Sequence, residues 1–250
     1  MAETFRGLVV REVRYKESDR MLTLLTDRHG LVSIKAQGAL GRRSRIAAAT
    51  QLLCFSEFSV SETRYAGGRW RIDAASALEQ FTGLREDIAD LALGVYFAEL
   101  LMTVCAEDVA DTAALSLGLN ALYALSRRLY EPEHIKAVFE LRLMAAEGFE
   151  PALAHCAVCR RTEPDEPMFS PEAGVLHCRG CAASVSGVSL PLDGDSLRAM
   201  RHVVRAEPKK IYNFAILPES EERLARVTEM FAARQLDRLL PSLDYWKSVK

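Results

Sequence analysis

The chain has 250 residues, 49% of them hydrophobic and 26% charged, with a formal net charge of −2, the balance of a soluble protein with enough length for two modest cores. The longest apolar run, 91–98, is far too short to span a bilayer, and Glu3, Arg6, Arg11 and Glu12 break up any apolar signal core. These features argue against a membrane or secreted protein and for a cytoplasmic one. Within the small net charge lies an asymmetry: residues 1–80 hold 13 Lys and Arg against 9 Asp and Glu, so the first third is basic and the rest acidic. A basic first third is the charge distribution of a chain that meets a polyanion.

Residues 5–76 read as β structure. The segments 7–13, 21–26, 31–36, 53–60 and 70–74 are short and rich in Val, Ile, Leu and aromatic residues. Asp27-Arg28-His29-Gly30 and Ala66-Gly67-Gly68 supply turns between them, since glycine accepts the positive φ that tight turns need. Five short strands in so few residues suit a small closed barrel such as the OB-fold, with an SH3-like barrel as the rival.

From Leu84 the period changes to that of a helix. Leu84, Ile88, Leu91, Val95, Ala98, Met102 and Cys105 recur at steps of three and four, which predicts one apolar stripe on a long helix. A second helix follows through Leu115, Leu119, Leu122 and Leu129 and ends near Tyr130. Pro132 suits a first turn, Ile135, Phe139, Leu143 and Ala146 line a third helix, and Gly148 closes it. Asp193 or Asp195 can cap a helix running to about Ala206. The last helix begins after Ser220, with Glu221 and Glu222 in its positive first turn, and Pro241 marks its end near Leu239.

Between the third and fourth helices stand two Cys-x-x-Cys pairs, Cys156/Cys159 and Cys178/Cys181. A Cys-x-x-Cys turn aims two thiolates at one centre, and a returning hairpin brings up a second pair to complete a tetrahedral sulfur shell. Met168-Phe169-Ser170 and Val175-Leu176-His177, joined by a turn at Glu172-Ala173-Gly174, can form that hairpin. The pattern predicts one structural Zn²⁺ in a ribbon-like element, with His155 or His177 as a minor alternative to one cysteine. Cys54 and Cys105 read as buried free thiols.

The strongest local sign of nucleic-acid binding is 38–45, where Arg42, Arg43 and Arg45 accompany Gly38 and Gly41, with Lys35 on the preceding strand. These side chains can contact successive phosphates while the glycines let the backbone approach. A second cluster, Arg198, Arg201, His202 and Arg205, falls on one helix face as a possible DNA or partner surface. Phe55, Phe58, Tyr65 and Trp70 are aromatic barrel positions that either stack on bases or fill the core. There is no Gly-Lys pair for a P-loop, no His-Glu-x-x-His and no Gly-x-Ser-x-Gly, so no catalytic signature appears.

In order and spacing these features resemble the bacterial recombination-mediator RecO family over essentially the whole chain. The matching segments are 22–30 (LTLLTDRHG), 96–101 (YFAELL), 139–144 (FELRLM) and 148–153 (GFEPAL) running into Cys156, then Phe169-Ser170 through Gly174 to the second cysteine pair. Many members have glycine after the first pair, where this chain has Arg160. The resemblance implies an α+β protein: an N-terminal five-stranded OB-fold in 1–80, then a mainly helical domain in 81–250 with the zinc element at 153–185. It also implies a cytoplasmic, nucleoid-associated protein without enzymatic turnover. Such a protein binds single- and double-stranded DNA and anneals complementary strands. With RecR it helps RecA displace single-strand-binding protein (SSB), whose C-terminal tail it contacts. A zinc-ribbon factor in transcription or translation is the competing reading.

Overall fold

The computed structural model describes residues 2–62 and 70–250, so Tyr65 and the turn at Ala66-Gly67-Gly68 lie outside the described residues. The described chain divides into two compact units, Met1–Arg127 with Leu240–Lys250, and Arg128–Leu239.

In the first unit β1 (Ala2–Tyr15), β2 (Asp19–Thr26), β3 (Gly30–Ala36), β4 (Phe55–Glu62) and β5 (Trp70–Glu79) close into a barrel of order β1-β2-β3-β5-β4. All pairings are antiparallel except that of β3 with β5. This is the closed five-stranded arrangement of an OB-type barrel. Alternation along the strands decides what faces inward: Phe5, Val9, Leu22, Leu24, Val32, Ile34, Phe58, Val60 and Trp70 fill the interior. Phe58 and Trp70 are therefore core, not open stacking surfaces.

β1 is longer than the expected 7–13 because it serves two neighbours, β4 through Ala2–Leu8 and β2 through Gly7–Tyr15. A register shift between Val9 and Arg11 lets it turn from one to the other. Opposite that irregularity Leu53 adopts φ 62° and donates to Val9's carbonyl at 2.8 Å. The fourth strand accordingly starts at Phe55, two residues after the expected 53. The β2–β3 turn depends on Gly30, at φ +59°: a Cβ there would lie 2.2 Å from Val109's carbonyl oxygen and 2.4 Å from Ala106's.

After a 3₁₀ turn (Thr82–Arg85) come α1 (Ile88–Val104) and α2 (Thr112–Ser126). The first helix does not run from Leu84, because Asp87 starts it afresh by accepting from Ala89's N–H at 2.8 Å. Its expected stripe is also corrected. Ile88 is exposed, whereas Leu93, Tyr96, Phe97, Leu100 and Leu101 are buried. This helix is apolar nearly all round, so periodicity did not define its inner face. The second ends at Ser126 rather than near Tyr130, and Leu129 is exposed.

In the second unit α3 (Pro132–Ala146) packs against α5 (Pro218–Leu236), with α4 (Gly194–Arg205) beside both. A short sheet of β6 (Pro167–Ser170), β7 (Val175–Cys178) and β8 (Leu190–Pro191) carries the cysteine element. Asp193 caps α4 through Ser196's N–H at 2.8 Å and also accepts from Ser220 and Arg223 of α5. Burial works against the Asp193 charge, but these donors offset it and hold the carboxyl at about 2. Sequence reading missed the ion network at the centre of this unit. Lys136 Nζ meets Glu140 at 2.8 Å and Glu229 at 2.9 Å, and Thr228 donates to Glu140 at 2.9 Å. Removing one partner from so buried a pair costs about 3–5 kcal/mol.

Two endings differ from expectation. α5 begins at Pro218, since proline is suited to a first turn, and stops at Asp237 in left-handed geometry. Pro241 for the same reason starts a further helix, α6 (Pro241–Val249), which returns to the first unit and packs on α1. There Glu99 accepts from Ser242's N–H at 3.1 Å. No helix of the described residues is long and apolar enough to cross a membrane.

Candidate functional site

The cysteine element is built by backbone pairing. β6 and β7 form the hairpin, with Pro167 opposite Cys178, and the 3₁₀ turn Arg179–Ser184 presents Cys181. The first pair is drawn alongside: Ala152 and Gly174 share a 2.8 Å hydrogen bond, and Ala157 donates to Leu176's carbonyl at 2.8 Å. The knuckle closes through Cys156 N–H to Arg161 O at 2.8 Å and Arg160 N–H to Cys156 O at 3.0 Å. Arg160 sits at φ 64°, a conformation glycine takes without strain. That is a physical reason for glycine at this point of the knuckle, and arginine keeps the turn intact.

All four sulfurs lie within 4.8 Å of one another. Cys159 and Cys178 are 3.7 Å apart, far beyond a disulfide bond and close to the spacing of about 3.8 Å that tetrahedral Zn–S bonds of about 2.3 Å impose. Burial pushes the Cys156 thiol up, but N–H groups of Cys159, Cys178 and Val158 bring it down to about 6. Burial and the neighbouring cysteines push Cys178 up, and Cys181 up to about 12. Four thiolates cannot share this space unless a cation joins them, so the cluster has the donor set and spacing of a metal site. His177 is not a member: its ring nitrogens meet Cys178's carbonyl at 2.9 Å and Ser189's hydroxyl at 2.8 Å.

The arginines of α4 do not form one open cationic face. Arg201 turns to the cysteine element, donating to Leu153 O at 2.9 Å, Thr162 O at 2.7 Å and Glu163 at 2.9 Å. It thereby clamps both flanks of the first cysteine pair. Arg198 is exposed and pairs with Asp195 one turn before it, while Arg205 is exposed at the helix end. Helical spacing correctly placed the three on one helix but carried no sign of the carbonyls that claim the middle one.

In the barrel unit the basic loop has a defined base. Asp19, 6% exposed, meets Lys35 Nζ at 2.8 Å and accepts from Gly38 N–H at 2.8 Å and Ser18 Oγ at 3.2 Å. Lys35, the Gly38 N–H and Ser18 together hold its carboxyl down at about 2 against the cost of burial. Leu40 N–H donates to Ser18 O at 2.9 Å. From this base Arg42, Arg43 and Arg45 project exposed. Lys35 differs from them, because its charge is already matched by Asp19. Asp19 itself was missed in the sequence; an acidic residue at a strand start gave no signal of the loop it would anchor.

Fold and sites together define an OB-type barrel protein with a basic loop and an attached helical unit that gathers four cysteines. The family model described as recombination protein O N terminal matches residues 1–81, and that for recombination protein O C terminal matches residues 85–244. The chain belongs to the RecO family of DNA repair proteins. It is 28% identical over 243 residues to the DNA repair protein RecO of Acetivibrio thermocellus, covering 97% of this chain and 95% of that protein. The RecO protein of Alkaliphilus metalliredigens is 27% identical over 244 residues, with 97% and 98% covered. That of Symbiobacterium thermophilum is 28% identical over 250 residues, with 98% and 96% covered.

The α4 geometry separates its arginines. Arg201→Ala removes three hydrogen bonds from a charged donor and should cost about 2–4 kcal/mol in denaturant unfolding. Arg198→Ala and Arg205→Ala should stay within about 0.5 kcal/mol of the parent.

Proposed function

We propose that this protein is a recombination mediator that binds DNA through the phosphate backbone and anneals complementary strands without bond-making chemistry. The observation that carries the reading is the exposed trio Arg42, Arg43 and Arg45 on a loop whose base is pinned by Asp19. Forked guanidinium donors suit phosphate oxygens, and nothing fixes these side chains against base edges. Binding tolerant of sequence is what annealing requires, since two arbitrary strands must be held while their repulsion is neutralised. Membership of a DNA repair family supports DNA as the polyanion. In this reading the protein works with RecR in the cytoplasm, at the nucleoid, to assist RecA on SSB-coated DNA. The helical unit takes the SSB C-terminal tail.

We assign Cys156, Cys159, Cys178 and Cys181 as the ligands of one Zn²⁺. The 3.7 Å sulfur spacing and the closeness of all four thiols support that assignment. Such an ion supplies a cross-link with no open coordination position, hence structural support and not reaction. The chain's own part is to hold four sulfurs at tetrahedral spacing through the β6–β7 hairpin and the Arg201 clamp.

Elemental analysis should find one zinc per chain, and Cys159→Ser or Cys178→Ser should lower zinc content and solubility together. Stable wild-type protein free of metal would contradict the assignment. The DNA reading is tested by titrating a labelled oligonucleotide and its scrambled counterpart at several salt concentrations. Each phosphate contact contributes about 0.7 to the log-log salt slope for single strands, so Arg42/Arg43/Arg45→Ala should flatten it by roughly 2 and reduce annealing in parallel. An unchanged slope in a folded variant would place the DNA elsewhere.

A further inference from the structure

Among the described barrel aromatics that could have met a base, Phe58 is fully buried and Trp70 is 5% exposed, while Phe55 is half-buried. One aromatic ring beside the basic loop is exposed. Tyr15 ends β1, is 43% exposed, and sits on the last rung of the β1–β2 ladder opposite Asp19. It is thus held by the strand pair that also carries the loop's anchoring carboxylate. Lys35 Nζ lies 5.3 Å from the ring centroid while tied to Asp19, and Lys16 Nζ lies 5.5 Å from it. Strand alternation puts Arg11 and Val13, both exposed, on the same face as Tyr15. A cation, an aliphatic residue and an aromatic ring therefore follow one another along an edge joined to the arginine loop by Leu40 N–H to Ser18 O.

We infer that Tyr15 is a base-stacking platform for single-stranded nucleic acid, with Arg11, Lys16 and the arginine loop on the flanking phosphates. The inference rests on the phosphate-binding reading of that loop and deepens it. Every base has a π-face, so one ring adds affinity without sequence preference, and a duplex, whose bases are already stacked on each other, cannot use it. The ring therefore makes this surface favour unpaired strands. Its cationic neighbours suit a polyanion and would oppose an acidic-poor apolar partner docking on the same edge.

The experiment compares wild type, Tyr15→Ala, Tyr15→Trp and Arg42/Arg43/Arg45→Ala at several salt concentrations. The probes are an oligothymidylate, an abasic oligonucleotide of equal length that keeps the phosphates, and a duplex. Tyr15→Ala should bind oligothymidylate about tenfold more weakly, with abasic and duplex affinities and the salt slope unchanged. Tyr15→Trp should retain the affinity, and oligothymidylate should quench its fluorescence more than that of wild type. Equal weakening on the abasic probe, or no weakening on oligothymidylate, would overturn the stacking role. The arginine variant reads the loop separately: a full salt slope there removes the phosphate reading whatever Tyr15 does, whereas a flattened slope with no Tyr15 effect removes stacking alone.

Discussion

A carboxylate can stay charged at 6% exposure only if its oxygens find donors, and Asp19 finds them in three parts of the chain at once. Lys35 comes from β3, Ser18 from the β1–β2 turn and the Gly38 N–H from the loop that follows β3. Satisfying one buried charge thus fixes the start of a loop that would otherwise be free to wander. The arginines downstream remain exposed while their point of attachment is held by these hydrogen bonds. Exposed charge held on an ordered base suits the sequence-tolerant phosphate binding proposed for this loop.

The second unit meets a different shortage. Its ribbon has short strands and a small core, chiefly Phe169, Leu176 and Leu190, so cross-linking has to add to what that core supplies. The four sulfurs lie close enough to supply it by sharing one metal ion, and Arg201 supplies it from α4 by tying Leu153, Thr162 and Glu163 around the first cysteine pair. The same unit retains a buried lysine with two carboxylates between α3 and α5, an arrangement that fixes which faces of those helices meet.

The five strands, the cysteine hairpin, the Asp193 cap and the Pro132 start were legible because each rests on local chemistry: alternation, ligand spacing, a capping oxygen, a fixed φ. What was not legible depends on partners far away in sequence. Ile88 looked like part of an inner stripe because α1 is apolar on every side, and only its neighbours determine which side is covered. Pro241 was read as a stop, though proline serves equally as a start, and the helix after it was lost. Lys35 was read as a phosphate contact and Arg201 as part of a DNA or partner face, since sequence shows charge without showing the carboxylate or carbonyls that engage it. Tyr15 passed unnoticed because a lone tyrosine in a strand gives no sign of which face it takes.

The central claim is that nucleic acid is held on the barrel surface that Asp19 organises. Amide hydrogen exchange of the wild-type protein, with and without a single-stranded oligonucleotide, tests it most directly. The expected result is slowed exchange concentrated in 14–20 and 37–45, with the helices of Arg128–Leu239 little changed. Protection confined to Arg128–Leu239, with the basic loop exchanging as in the free protein, would contradict the account.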